Sequence, residues 1–179
     1  LDKLYTKTRT EVADELRPPA KLEDLNRLRE RLGELPPLLE AWFLWHDGQE
    51  GTTPPSPADN RTLISVDECL RVMDFWSDET QCDQKTWPPT WVPLMTNGAG
   101  DYVVFDTRPE HEGKLFNFWH DSPDYWDKPQ KKRKVWASLK AWAGAAATAT
   151  RKDAKAAKER AAIFAAIDQD AIKARVWTK

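Results

Sequence analysis

Three histidines, His46, His111 and His120, are the side chains of this sequence best suited to acid–base chemistry or metal binding. No two of them have the spacing of an H-x-x-x-H metal site, and no nucleophile motif accompanies them. His46 and His120 each precede an aspartate, which can orient or solvate an imidazole without making it reactive. We therefore predict structural or surface histidines, with no catalytic residue, no metal and no cofactor.

The two cysteines, Cys69 and Cys82, do not form a C-x-x-C pair. A disulfide between them stays open as an alternative, but so few cysteines favour a reduced chain in the cytoplasm. No secretory signal is visible, although the sequence begins at Leu1 without methionine. The sequence has no run of about 18 apolar residues, so no membrane-spanning helix is expected.

Two stretches imitate ligand-binding motifs. The segment Asn97–Asp101, NGAGD, contains G-x-G but lacks the third glycine and the following helix of a phosphate-binding loop. Its Asn-Gly pair instead predicts a hairpin turn. Asp121, Asp124 and Asp127 are three residues apart, whereas the calcium ligands of an EF-hand loop alternate. We predict a turn at the first stretch and a solvated loop at the second.

The charges of the chain are unevenly distributed. Residues 1–127 contain 13 Lys and Arg against 25 Asp and Glu, a net charge of −12. Residues 128–179 contain 14 against 4, a net charge of +10. The basic run Lys131–Lys134 has no aromatic stacking platform beside it, so a solvated helix face is favoured over nucleic-acid binding.

An acidic body suits a basic partner, such as a protein that itself binds nucleic acid. Opposite charge speeds association and makes binding sensitive to salt, although an acidic surface can also serve solubility alone. Trp42, Trp45 and Trp142 lie on apolar helix stripes and are expected in the core. Trp87 and Trp126 lie among prolines and charges, where partial exposure for binding is the less favoured alternative to core packing. The candidate partner-binding residues are Asp47, Glu50, Asp78, Glu79, Asp83, Trp87, Asp121, Asp124 and Trp126.

The first part of the chain predicts helices. Residues 3–16 have apolar positions at helical spacing, and leucines from Leu22 onwards form an amphipathic helix that ends near Gly33. Pro36-Pro37 starts a third helix, which is apolar on most sides and is expected to be buried. After a loop of residues 49–61, a short strand is followed by a helix whose capping box is Ser65 and Glu68.

The middle of the chain predicts three strands, Trp91–Met95, Tyr102–Phe105 and Lys114–His120. Pro93 places the first at an edge or a strand end, because proline cannot donate to a ladder. The alternation of the last strand predicts an antiparallel meander with an aromatic face. Helical spacing resumes at Val135 and continues as an Ala/Lys-rich segment with a modest stripe at Ile163, Phe164, Ile167 and Ile172.

Four segments occur in an order typical of one known family. They are LPPLLEAWFLWHDGQE (Leu35–Glu50), LISVDECL (Leu63–Leu70), TWPPTWVPLMTNGAGDYVVFD (Thr86–Asp106) and GKLFNFWHD (Gly113–Asp121). Over about residues 22–144 the chain resembles the SUKH superfamily, the Smi–Knr-like domain. The resemblance implies helices packed against a mainly antiparallel sheet. It also implies binding rather than catalysis, since many bacterial members are immunity proteins and fungal members are scaffolds of cell-wall signalling.

The resemblance supplies no catalytic residue, and it implies mostly structural roles for its motif residues, which are Trp45, Asp47, Gly48, Trp91, Gly100 and Asp101. The expected fold is α+β, a SUKH-like domain of residues 1–145 with its core at 22–144, followed by a helical extension at 146–179. The expected function is to neutralise a bacterial toxin, such as a nuclease or deaminase, by binding it in the cytoplasm without enzymatic activity. The alternative is a regulatory scaffold or adaptor that binds a cellular protein, and the C-terminal helix offers a route to a homo-oligomer.

Overall fold

The computed structural model describes residues 1–78, 87–111, 113–121, 134–136 and 138–173, without the side chains of 134–136, 157 and 160–173. Its helices are α1 (Asp2–Thr8), α2 (Thr10–Glu15), α3 (Leu22–Leu32), α4 (Pro37–Trp45), α5 (Val66–Ser77) and α6 (Leu139–Lys173). Its strands are β1 (Thr62–Leu63), β2 (Trp91–Thr96), β3 (Tyr102–Asp106), β4 (Leu115–Phe118) and β5 (Lys134–Trp136). A single 3₁₀ turn, Pro109–His111, lies between β3 and β4 among these residues.

The described strands form one sheet in the order β1-β2-β3-β4-β5, and every neighbouring pair is antiparallel. This is a meander, in which each strand returns beside the one before it. The predicted α+β class, the three central strands and the hairpin at Asn97-Gly98 are confirmed. In that hairpin Gly98 has a φ of +76°, which glycine adopts at little cost.

Pro93 is not on an edge strand, so that prediction is wrong. β2 lies between β1 and β3, and the register between β2 and β3 shifts between Pro93 and Met95. A bulge is one of the few places inside a sheet where the missing N–H of proline is tolerated. On the other side, β1 is only two residues long and pairs with Met95 and Thr96, so it makes no ladder contact at Pro93.

The ends of two predicted helices also differ from expectation. The helix predicted at residues 3–16 is two helices, broken at Arg9, whose φ is −149°. Threonines on both sides of Arg9 have low helix propensity, and the Thr8 hydroxyl donates back to the Leu4 carbonyl. Val135 belongs to β5 rather than to the last helix, which begins after Ser138, where the Ser138 hydroxyl accepts the Ala141 N–H at 3.1 Å.

α4 is only partly buried, contrary to prediction. Leu39, Trp42 and Phe43 are in the core, whereas Leu38 and Leu44 are 41% and 47% exposed.

α6 contributes Trp142 to the same core, with its ring centroid 5.1 Å from that of Trp42. The helix then runs without a break through residues 145 and 146, where the predicted domain ends and the predicted extension begins. None of the described helices is both long enough and apolar enough to cross a membrane.

The sheet is covered on both faces, because residues 103 to 106 of β3 are all buried although they alternate in direction. One face is aromatic, as predicted. On it Tyr102 pairs with Phe118, and the ring of Phe118 lies 4.8 Å from Trp76 of α5 and 4.9 Å from Trp87. Aromatic rings each bury about 150–250 Å². This layer therefore fixes the C-terminal end of α5 against the ends of β3 and β4.

Candidate functional site

The His-Asp-Gly-Gln motif, residues 46–49, lies in the loop after α4, where it connects elements that are distant in the sequence. One carboxylate oxygen of Asp47 accepts the N–H of Val66 at 2.8 Å and so caps α5. The Gln49 side chain accepts the N–H of Leu63 at 3.0 Å and donates to Glu15 at 3.1 Å. The loop thus ties α2, β1 and α5 together by hydrogen bonds.

Gly48 makes this junction sterically feasible. Its φ is +74°, and a Cβ on Gly48 would lie 2.6 Å from the Ser65 nitrogen and 2.7 Å from the Ile64 carbonyl carbon. Its own carbonyl accepts the N–H of Arg17 at 3.1 Å. The structural role implied for Asp47 and Gly48 thus has a direct physical basis.

Two of the predicted partner-binding residues, Asp47 and Glu50, share a polar groove of 370 Å³. The groove is also lined by Arg17, Lys21 and Asp24, and the Arg17 guanidinium lies 3.9 Å from the Glu50 carboxylate. Basic side chains therefore offset much of the negative charge here. Glu50 itself is exposed, with 78% of its side chain accessible.

Two further candidates, Asp78 and Asp121, follow elements whose aromatic residues, Trp76 and Phe118, are in contact. Asp78 directly follows α5, and Asp121 lies three residues beyond β4. Half-buried Trp76 and Tyr102 flank Phe118, and the neighbouring Phe75 is 47% exposed. We call this surface the acidic–aromatic end and define it by Phe75, Trp76, Asp78, Asp101, Tyr102 and Asp121.

Asp101 is the ordered centre of the acidic–aromatic end. One oxygen accepts the backbone N–H of His120 at 3.2 Å and faces the His120 Nδ1 at 2.9 Å, so Nδ1 carries the proton in this arrangement. The other accepts the Asn97 amide at 2.9 Å. Partial burial raises the pKa of Asp101, but the hydrogen bonds from His120 and Asn97 outweigh it and leave that pKa below its usual value. Asp101 is therefore a fixed negative charge at neutral pH.

Asp101, His120 and Asp121 are also the described residues that come closest to a metal site. Their ligand atoms all lie within 4.8 Å of one another. One imidazole and two carboxylates suit a divalent transition metal. The hydrogen bonds of Asp101 account for the arrangement without an ion, and the exposure of His120 and Asp121 is typical of an ordinary polar surface.

Trp87 is part of the core, so its suggested partial exposure is wrong. Only 7% of the residue is accessible, and its indole N–H donates to the Trp91 carbonyl at 3.2 Å. The physical reason is the turn at Pro88, whose carbonyl accepts the N–H of Trp91 at 2.9 Å and so returns the chain over Trp87. Prolines beside a tryptophan thus mark a turn here rather than an exposed surface.

Four other candidates, Glu79, Asp83, Asp124 and Trp126, lie outside the described residues, as do Cys82 and Asp127. The chain leaves the described part at Asp78 and at Asp121, which are both at the acidic–aromatic end. The other cysteine, Cys69, is a free thiol in the core, and burial raises its pKa well above the ordinary value.

Sequence reasoning missed a buried charged cluster at the end of β3. The Asp106 carboxylate is fully buried, and it accepts hydrogen bonds from Arg108 at 2.6 Å, His111 at 2.7 Å and the Trp91 indole at 3.3 Å. Burial raises the pKa of Asp106, but its hydrogen bonds with Arg108 and His111 hold that pKa below the usual value. The Asp-x-Arg pattern directly after a predicted strand, Asp106 and Arg108, could have indicated this cluster. The partners satisfy one another, which indicates a structural role.

An apolar groove of 310 Å³ between α4 and α6 was also not predicted. Leu38, Trp42 and Trp45 of α4 face Leu139 and Trp142 of α6 across it. These helices are almost a hundred residues apart in the sequence, so no local pattern indicates that their tryptophans share one surface.

Comparison with known proteins agrees with this architecture. Residues 19–144 match the model of the SMI1 / KNR4 family (SUKH-1), which covers α3 to the first turns of α6. A search of curated proteins finds no match. Because the family model covers well over half of the chain, and because the motif residues form the loop and sheet described above, this chain belongs to the SMI1 / KNR4 family (SUKH-1).

Proposed function

We propose that this protein is an immunity-type binding protein, which neutralises a toxin by covering a basic surface of that toxin with the acidic–aromatic end. Family membership is consistent with this role. The observation that carries the proposal is that Asp101 and Asp121, which have ligand oxygens within 4.8 Å of each other, adjoin the partly exposed rings of the aromatic face at one end of the sheet.

The chemistry of this surface fits protein recognition. Interface residues that contribute most to affinity are enriched in tryptophan and tyrosine, and Trp76, Tyr102 and Phe75 supply such rings. The surrounding carboxylates would attract the lysines and arginines with which a nuclease or deaminase contacts phosphates. By contrast, the groove beside Glu50 contains Arg17 and Lys21, which would oppose a basic partner.

The mechanism requires no covalent chemistry. The body of the chain has a net charge of −12, which attracts a cationic protein over distances of about the Debye length, ~8 Å at physiological ionic strength. Short-range contact with the rings then provides the apolar area that holds the complex together. The toxin is inhibited because its substrate and this protein compete for one basic cleft.

The test is co-expression with the product of the adjacent open reading frame, followed by affinity measurement at several salt concentrations. We expect Asp78→Asn with Asp121→Asn to weaken the complex at least about tenfold, because a close interfacial charge pair contributes about 1.5 kcal/mol or more. The control is Asp14→Asn with Glu34→Gln, which removes the same charge from exposed positions elsewhere and should leave affinity nearly unchanged. Equal effects of the two pairs, or an affinity indifferent to salt, would contradict the proposal.

A second candidate function is a scaffold that binds a cellular protein through α6. The observation that favours it is the exposure of Arg151, Lys152, Lys155 and Lys158 on a helix that continues to Lys173. Removal of residues 151–179 tests it, because it takes away these four basic side chains and leaves the buried Ala146 and Thr150 in place. A partner from the same organism that binds the full chain but not this truncated one would support the scaffold.

A further inference from the structure

The outer part of α6 has charges for which the rest of the described chain provides no partner. α6 is 35 residues long, or about 52 Å at ~1.5 Å per residue. Its N-terminal part is anchored, because Leu139, Trp142, Ala146 and Thr150 are buried along one stripe. The 23 residues that follow Thr150 extend the helix by about a further 34 Å.

Three basic residues share one face of this outer part. Arg151, Lys155 and Lys158 are exposed and are spaced at i, i+4 and i+7, which aligns them along the helix. The same periodicity places them roughly opposite the stripe that contains Trp142 and Thr150. We call Arg151, Lys155 and Lys158 the basic face.

The basic face has no acidic counterpart on the described body. Among the side chains that the structure describes, Lys155 pairs with Glu159 inside α6 at 3.7 Å, and no ion pair connects α6 to another element. Because α6 is continuous and docks through the opposite stripe, it cannot turn this face onto its own body without leaving the core. Within the described part of the chain no acidic surface lies against the basic face, so a separate molecule can supply one.

We infer that the basic face of α6 binds the acidic–aromatic end of a second copy of this chain. The two surfaces are complementary in charge, since the body, residues 1–127, carries −12, whereas α6 has seven Lys and Arg against four Asp and Glu, a net charge of +3. Two copies can satisfy each other reciprocally, which closes a dimer, and a one-way contact would instead build a longer chain. The inference rests on the acidic–aromatic end of the proposed function, so self-association and toxin binding would compete for one surface.

The experiment measures the molar mass of the full chain in solution at about 50 mM and about 500 mM NaCl, below and above the ionic strength at which the Debye length is ~8 Å. We expect an assembly at low salt and a monomer at high salt. Arg151→Glu with Lys155→Glu and Lys158→Glu should be monomeric at both. The control, Lys3→Glu with Lys7→Glu and Lys21→Glu, changes the net charge equally at exposed positions and should still assemble.

A charge exchange identifies the surface that receives α6. Asp78→Lys with Asp121→Lys should be monomeric alone and should assemble when mixed with the charge-reversed α6 variant, because each restores the opposite charges that the other lacks. A monomeric full chain at low salt, assembly that survives reversal of the basic face, or a mixture that stays monomeric would overturn the inference. A monomeric chain that still binds its toxin would contradict self-association but not the proposed function. An assembly that does not bind a toxin would contradict the proposed function but not self-association.

Discussion

Replacement of Gly48 by alanine tests the proposal that the loop after α4 is a close-packed junction. The added Cβ would lie 2.6 Å from the Ser65 nitrogen and 2.7 Å from the Ile64 carbonyl carbon. Both are backbone atoms, so no side-chain rotation can relieve the contact. The φ of +74° adds a second penalty, because an L-residue with a Cβ is strained there.

The two penalties can be separated with Gly98. Its φ of +76° is nearly the same, but a Cβ at this position meets nothing within 4 Å. Gly98→Ala should therefore show the conformational penalty alone, about 1–2 kcal/mol. Gly48→Ala should show that penalty plus an overpacking cost of about 1–3 kcal/mol, for a total of about 2–5 kcal/mol.

The assay is urea unfolding, followed by far-ultraviolet circular dichroism and by tryptophan fluorescence, with the free energy of unfolding extrapolated to water. Coincidence of the two signals would justify a two-state treatment. In thermal unfolding the excess loss at Gly48 should lower Tm by roughly 2–4 °C per kcal/mol for a chain of this size. If Gly48→Ala and Gly98→Ala destabilised the protein equally, the close approach of the loop to Ser65 would not be an important constraint on the fold.

Three other predictions follow from the described contacts. Ser65→Ala removes the hydroxyl that accepts the Glu68 N–H at 3.2 Å and should lower the free energy of unfolding by about 1 kcal/mol, measured in urea, with Ser65→Thr as the conservative control. Asp106→Asn should lower the free energy of unfolding by about 2–4 kcal/mol in the same assay, because the donors of Arg108 and His111 would then face an amide instead of a carboxylate. The partial exposure of Arg108 keeps the decrease within this range. The free energy of unfolding should fall as the pH decreases below about 4. The reason is that Asp101 and Asp106 have lower pKa values in the folded state than in the unfolded state. Their ionised carboxylates therefore stabilise the fold above that pH, and this stabilisation is lost when they are protonated. Asp106→Asn should make the unfolding free energy less dependent on pH in this acid range, and an unchanged slope would contradict the assignment of Asp106.

Local signals in the sequence determined the elements themselves. The leucine spacing and Gly33 delimit α3, Pro36-Pro37 starts α4, and the hydroxyl of Ser65 caps α5 as its spacing to Glu68 indicates. The Asn-Gly pair forms the hairpin between β2 and β3. These features were predictable because capping, turns and helical periodicity depend on residues only a few positions apart.

Only the tertiary structure decided where those elements lie relative to one another. It placed β2 inside the sheet despite Pro93, drew Val135 into β5, buried Trp87 under the returning chain, and assembled the cluster around Asp106. It also brought Asp101 and Asp121 together and placed the rings of Trp76 and Tyr102 on either side of Phe118. Such proximities depend on strand pairing and helix docking between segments tens of residues apart. A pattern within any one segment carries no information about them.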